Sequence, residues 1–163
     1  MRDPKIKSLS ALLPIRRALK RKGKTVVFTN GCFDLLHPGH ARLFRKARDE
    51  GNVLIIALNT DASVRRLKGP TRPVFPLRER LEVLSAFADV DYVTWFAEPT
   101  PREIVAELLP DVLVKGGDWG PDRVVGRAEV EAAGGRVVIV PYLKGHSSSS
   151  LIDRIKSAAA AGR

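Results

Sequence analysis

Five short apolar runs constrain this chain more than any other feature. TVVFT (25–29), NVLIIALN (52–59), DYVTWF (91–96), DVLVKGGD (111–118) and RVVIVPY (136–142) lack the apolar–polar alternation of a half-exposed strand. Strands of this kind are buried on both faces, and sheets built from them are parallel with helices on each side. Helical patterns lie between the runs. ARLFRKARDEG (41–51) stops at a glycine, and PLRERLEVLSAFADV (76–90) starts at a proline and sets Leu77, Leu81, Leu84 and Phe87 on one face. PTPREIVAELL (99–109) offers Thr100 as cap and Pro101 as first helical residue; RVVGRAEVEAAGG (123–135) ends in glycine; a serine run opens a last helix near LIDRIKSAAAA (151–161). The expected fold is α/β: a single doubly wound, Rossmann-like domain with a five-stranded parallel sheet. With 163 residues and no linker or repeat, one such domain spans residues 24–163. Residues 1–23 are expected to form a basic N-terminal helical extension.

Charge narrows the partners. The net charge is +10, which suits nucleic acid or phosphorylated metabolites. The densest basic run, RRALKRKGK (16–24), reads first as a solvated helix face. Aromatic residues are 6% and are not interleaved with the basic ones, which disfavours a base-stacking platform and leaves nucleic-acid binding as a rival reading. No apolar run approaches the roughly 20 residues of a membrane span. ALLPI is too short for a signal core and is broken by Pro14, and Cys32 is a single cysteine. A cytoplasmic protein without a membrane partner is expected.

In a doubly wound sheet, ligands sit outside the carboxyl ends of the strands. The unusual loops of this chain all follow strands: TNGCFDLLHPGH (29–40), NTDASVRRLKGPTRP (59–73), KGGDWG (115–120) and LKGHSSSS (143–150). In the first, Pro38 suits an opening helical turn, Gly39 allows close approach, and the free N–H groups of that turn favour an anion. His37 and His40, three apart, can project from the same turn as hydrogen-bond donors. The plain alternative is a capped helix with incidental histidines, and a metal pair lacks a third ligand of suitable spacing. No GxxxxGK[ST], GxGxxG after the first strand, or GxSxG is present. The loops offer cations and hydroxyls instead: Lys68, Arg72, Arg78, Lys115 and Ser147 to Ser150. Such a set can transfer a nucleotidyl group to a phosphate monoester, whose oxygen is already ionised and needs no general base. Cys32 reads as a small loop residue, Arg78 and Arg80 read equally as surface charges, and His146 has no assigned role.

TNGCFDLLHPGH resembles the signature of the HxGH nucleotidyltransferase superfamily, to which cytidylyltransferases belong. ALNTDASVRRLKGPTRPVFPLRERLEVLSAF, DVLVKGGDW and GHSSSSLIDRI together resemble bacterial heptose 1-phosphate adenylyltransferases, over about residues 24 to 156. The resemblance implies the HxGH nucleotidyltransferase fold and the transfer of AMP from ATP to a heptose 1-phosphate, giving ADP-heptose for lipopolysaccharide and pyrophosphate. By position it implies catalytic roles for His37, His40 and Lys68. It places Thr29, Asn30, Gly31, Phe33, Asp34, Gly39, Lys115, Gly116, Gly117, Ser147, Ser148 and Ser149 around the nucleotide. Asn59, Asp61, Arg72, Asp118 and Trp119 would face the acceptor, though Trp119 reads equally as a stacking or a core residue. Mg²⁺ would arrive with ATP rather than in a protein cage. The resemblance further implies a homodimer and a stand-alone form served by a separate heptose kinase and phosphatase. The nearest rival is a cytidylyltransferase acting on glycerol 3-phosphate, which would carry an RTEGIST-type segment where this chain has YLKGHSSS.

Overall fold

The computed structural model describes residues 3–117, 120, 123–143 and 145–161. Five strands form one parallel sheet: β1 (Val26–Gly31), β2 (Val53–Asn59), β3 (Tyr92–Phe96), β4 (Val112–Gly116) and β5 (Arg136–Val140), in the order β3-β2-β1-β4-β5. Seven helices are assigned among the described residues: α1 (Leu9–Arg21), α2 (Pro38–Asp49), α3 (Asp61–Lys68), α4 (Leu77–Ser85), α5 (Arg102–Leu108), α6 (Arg127–Ala132) and α7 (Ser148–Ala161).

The missing alternation in the strands now has a physical cause. Successive side chains enter two separate cores. Val27, Leu54, Ile56 and Leu58 pack with Leu43 and Phe44 of α2 and Leu81 and Leu84 of α4. Val26, Phe28, Ile55 and Ala57 pack with Leu12 of α1, Ile104, Val105 and Leu108 of α5, and Val130 of α6. The chain runs outward from β1 through β2 to β3, then returns to β4 on the other side of β1. Right-handed crossovers in opposite directions put their helices on opposite faces. The turning point lies between β1 and β4, where the carboxyl ends of the two strands diverge and leave a crevice.

Three local expectations are revised. NTDASVRRLKG contains the helix α3 rather than only loop. Its core-facing apolar residue is Val64, set among charges, so no apolar stripe marks it. Helix α5 starts at Arg102, so Pro101 rather than Thr100 is its cap residue, with the Pro101 carbonyl accepting from Val105 N–H at 3.0 Å. The solvated-face reading of residues 16–24 fails at Arg16, which is buried. Its guanidinium donates to Leu109 O at 2.6 Å and pairs with Asp111 Oδ1 at 2.9 Å, while Asp111 Oδ2 accepts from Val26 N–H at 2.7 Å. The segment ahead of α1 runs beside β3, with Val93 N–H donating to Lys5 O and Lys7 N–H to Val93 O, so it covers that sheet edge.

Candidate active site

The crevice beyond β1 and β4 opens into a cleft of about 560 Å³. Its floor begins with Asn30 and Gly31, the last two residues of β1. Phe33 follows with φ +44°, a conformation that strains a bulky residue. This turns its ring back under Gly31, where a Cβ would stand 3.0 Å from Phe33 Cζ. The ring also meets His40 and Phe44 edge-on, each at 5.2 Å between centroids. Gly31 is therefore glycine because the aromatic that supports His40 fills the space a side chain would need.

The H-P-G-H turn has an equally direct account. His37 is the N-cap of α2 in extended conformation, Pro38 is the first helical residue, and His40 N–H donates to His37 O at 2.9 Å. The two imidazoles stack at 3.8 Å. A Cβ on Gly39 would lie 2.9 Å from His37 Nδ1, so only glycine lets the first imidazole fold over the turn. Both Nδ1 atoms are buried without a partner. Burial, with His37 adding a smaller repulsion, pushes the His40 imidazole down to about 3. His37 is lowered too, by burial first and by His146 second. Near neutral pH both rings are uncharged, fit to donate an N–H and unfit to supply a proton as an acid.

Lys115, on β4, crosses the turning point to donate from Nζ to Asn30 Oδ1 at 2.8 Å. Burial lowers its ammonium to about 8. Because the folded value lies below the ordinary 10.5, Lys115 weakens the fold at neutral pH, and that cost is relieved as pH rises from about 8 to 10.5. Replacing Lys115 with methionine removes the cost and leaves Asn30 Oδ1 without its donor. The expected result is a net gain of about 1 kcal/mol, or 2–4 °C in melting temperature. Thermal melts of the two proteins at neutral pH check it.

Asp34 and Arg80 build the remaining wall. Asp34 is 3% exposed and accepts from Arg72 Nε at 2.6 Å, Val74 N–H at 2.7 Å and Phe75 N–H at 3.1 Å. Arg80 is 2% exposed and donates to Phe75 O, Cys32 O and Asp61 Oδ1 at 3.0, 2.6 and 2.7 Å. These contacts tie the 69–76 segment, which follows Lys68, to the loop before α2. Arg80 is the site-shaping residue that helix periodicity left undecided. Its signal was present: it stands three residues after Leu77 and four before Leu84, inside the apolar stripe of α4. Arg78 points elsewhere, into a separate concavity beside Asp3 and Trp95.

The structure gathers Asn30, Gly31, Phe33, Asp34, His37, Gly39, His40, Lys68, Arg72, Lys115, Gly116 and Ser147 to Ser150 around one cleft. Thr29 lies just beneath, fully buried, with Oγ1 unpartnered. Gly117 takes φ +135° and donates from N–H to Val140 O at 2.9 Å. Asn59 and Asp61 are not brought to the cleft wall: Asn59 Nδ2 donates to Ser63 Oγ at 3.0 Å, and Asp61 holds Arg80. Asp118 and Trp119 lie outside the described residues. Helix α7 starts at Ser148, three residues earlier than its apolar residues suggest. Ser147 Oγ accepts from Ser150 N–H at 3.0 Å, and Ser150 Oγ accepts from Ser147 N–H at 3.2 Å, a reciprocal cap. Burial raises the Cys32 thiol, against the pull of Lys68, Arg80 and Arg72, so it stays protonated and a poor nucleophile near neutral pH.

Residues 28–154 match the family described as cytidylyltransferase-like. The chain is 50% identical over 153 residues to "Bifunctional protein HldE" of Syntrophotalea carbinolica, which covers 94% of this chain and 31% of the relative. It is 51% identical over 155 residues to the protein of the same name from Geotalea uraniireducens, covering 95% and 32%. The chain thus spans about a third of the length of these curated relatives. Among solved structures, the lipopolysaccharide core biosynthesis protein of Thermoplasma volcanium superposes with a TM-score of 0.61 at 28% identity, over 76% of this chain and all of that one. Pantoate-beta-alanine ligase of Francisella tularensis superposes at 0.62 with 17% identity, over 85% of this chain and 67% of that one, a likeness of fold.

Proposed function

The chain belongs to the cytidylyltransferase-like family, and from that premise we propose that it moves AMP from ATP to a heptose 1-phosphate, forming ADP-heptose and releasing pyrophosphate. The observation that carries this reading is the pairing, in one cleft, of two uncharged imidazoles at the start of α2 with Lys115 across the turn of the sheet. Among the described residues lining the cleft, Asp34 is the one carboxylate, and both its oxygens are engaged.

That inventory suits a reaction with no proton to abstract. A sugar phosphate oxygen attacks the α-phosphorus in line, the new P–O bond forms, and the bond to the β-phosphate oxygen breaks. The electron pair leaves with pyrophosphate. Negative charge spreads over the α-phosphate oxygens, and fixed N–H donors and ammonium groups stabilise it there. His37 and His40 are the donors in this reading, and Lys115 and Lys68 the charges. The nucleotide enters as its Mg²⁺ complex, the ion held by phosphate oxygens and water.

The heptose assignment is supported by about 50% identity to the HldE proteins and by the likeness to a structure named for lipopolysaccharide core biosynthesis. On the same reading the enzyme is a cytoplasmic homodimer, and kinase and phosphatase chemistry upstream supplies its sugar 1-phosphate. Sedimentation as a monomer would remove the dimer. The substrate test is pyrophosphate release with Mg²⁺, over ATP, CTP, GTP and UTP against both anomers of heptose 1-phosphate and glycerol 3-phosphate. Release only with ATP and a heptose 1-phosphate is expected. Release with CTP and glycerol 3-phosphate would keep the site and replace the substrate, and no release from any pair would defeat the enzymatic reading.

A further inference from the structure

His146 has no role in the reading above, yet the structure holds it in a defined place. The segment between β5 and α7 is pinned at two points to the loop and turn that open α2. Near its start, Leu143 stands against Gly39, whose Cβ would lie 3.8 Å from that of Leu143. Just past its end, Ser148 Oγ donates to Leu35 O at 2.7 Å. His146 lies between these pins. Its N–H donates to Leu143 O at 3.2 Å, and Gly145 before it takes φ +79°, where a side chain would be strained.

The imidazole lines the cleft with His37, Lys68, Arg72 and Lys115. It is near enough to His37 to oppose a positive charge there. His37 directly precedes α2, and His146 stands two residues before α7. Two helix starts, each led by an imidazole, thus border one cleft whose carboxylate is already spent on Arg72, Val74 and Phe75. Helix starts favour anions, and imidazoles beside them add directed donors.

We propose that His146 is a third imidazole of the polyphosphate site, donating to the outer phosphates of the nucleotide from the α7 side of the cleft. This rests on the nucleotidyl-transfer reading and extends it from the reacting phosphate to the part that leaves. His146 is exposed, so its replacement leaves the fold intact.

The test is calorimetric titration of wild type, His146→Ala and His146→Gln with the mono-, di- and triphosphates of adenosine and cytidine. In His146→Ala the triphosphate is expected to bind about tenfold more weakly, with the monophosphate changed less than about twofold. His146→Gln, which keeps an N–H donor, is expected to recover part of the loss. A triphosphate-to-monophosphate ratio equal to that of wild type overturns the assignment. Equal weakening of both nucleotides also overturns it, because that is the signature of a displaced loop. Wild-type protein that binds none of these nucleotides overturns the nucleotidyl-transfer reading and this inference together, whereas normal wild-type binding with an unmoved variant ratio overturns the inference alone.

Discussion

Replacing His40 with alanine is expected to lower turnover by about two to three orders of magnitude while the protein stays folded, the usual loss when one fixed donor to a charged transition state is removed. His40 is held by stacking on His37 and by the edge of Phe33, so its orientation is set before substrate arrives. His40→Gln keeps a donor and is expected to be more active than the alanine variant. Near-normal turnover in His40→Ala would break the donor assignment. The pH dependence of stability gives an independent check. The folded imidazole protonates at about 3, well below its ordinary 6.5, so the unfolded chain takes up this proton first. The stability it supports is complete above 6.5 and is lost as pH falls from there toward 3. Wild-type melting temperature should therefore drop through that window more steeply than that of His40→Ala. His37 contributes in the same direction. Parallel slopes in the two proteins would show that His40 is not held neutral by the fold.

Replacing Asp34 with alanine is expected to destabilise the protein by about 3–5 kcal/mol, the largest loss of stability at the site. The side chain is 1% exposed and that of its partner Arg72 12%. Removing the carboxylate strands a largely buried guanidinium and leaves the Val74 and Phe75 N–H groups without an acceptor. For a chain of 163 residues, that loss lowers the melting temperature by about 10 °C. Urea unfolding should show an earlier midpoint with little change in slope. Activity should fall as well, since Asp34 anchors the segment that brings Arg72 to the cleft that Lys68 also lines. A midpoint shift worth less than about 1 kcal/mol would mean that the segment is held by other contacts. Arg80, which reaches Phe75 O and Cys32 O from below, is the first place to look.

The doubly wound sheet was legible because each strand is apolar on both faces. Val26, Val27 and Phe28 belong to two different cores, and no polar residue interrupts them. The H-P-G-H turn was legible for a similar reason. Its proline opens the helix, and its glycine clears space for His37, so the local geometry is contained within four residues. Helix α3 was not legible, because eight residues with one core-facing apolar side chain cannot display a period. From sequence, Arg16 reads as part of a solvated face and Arg80 equally as a surface charge, because charge ordinarily marks the solvent side of a helix. Here each lies on an apolar stripe and meets a carboxylate from a distant part of the chain, Asp111 for Arg16 and Asp61 for Arg80. A stripe position can be read from spacing, whereas the distant partner that makes burial tolerable cannot.

By itself, the sequence determined which segments are strands, that they are buried on both faces, and that polar, cation-rich loops leave their carboxyl ends. Only the tertiary structure decided that β4 lies beside β1, so that Lys115 reaches Asn30 from 85 residues away. It alone decided that Ser148 fastens to Leu35 across 113 residues, bringing His146 to the cleft that holds His37. The physical reason is that strand identity is a local property of side-chain pattern, while strand order is settled by burying two faces at once with right-handed crossovers. Residues that share no local pattern become neighbours through that order, and the site is made of such neighbours.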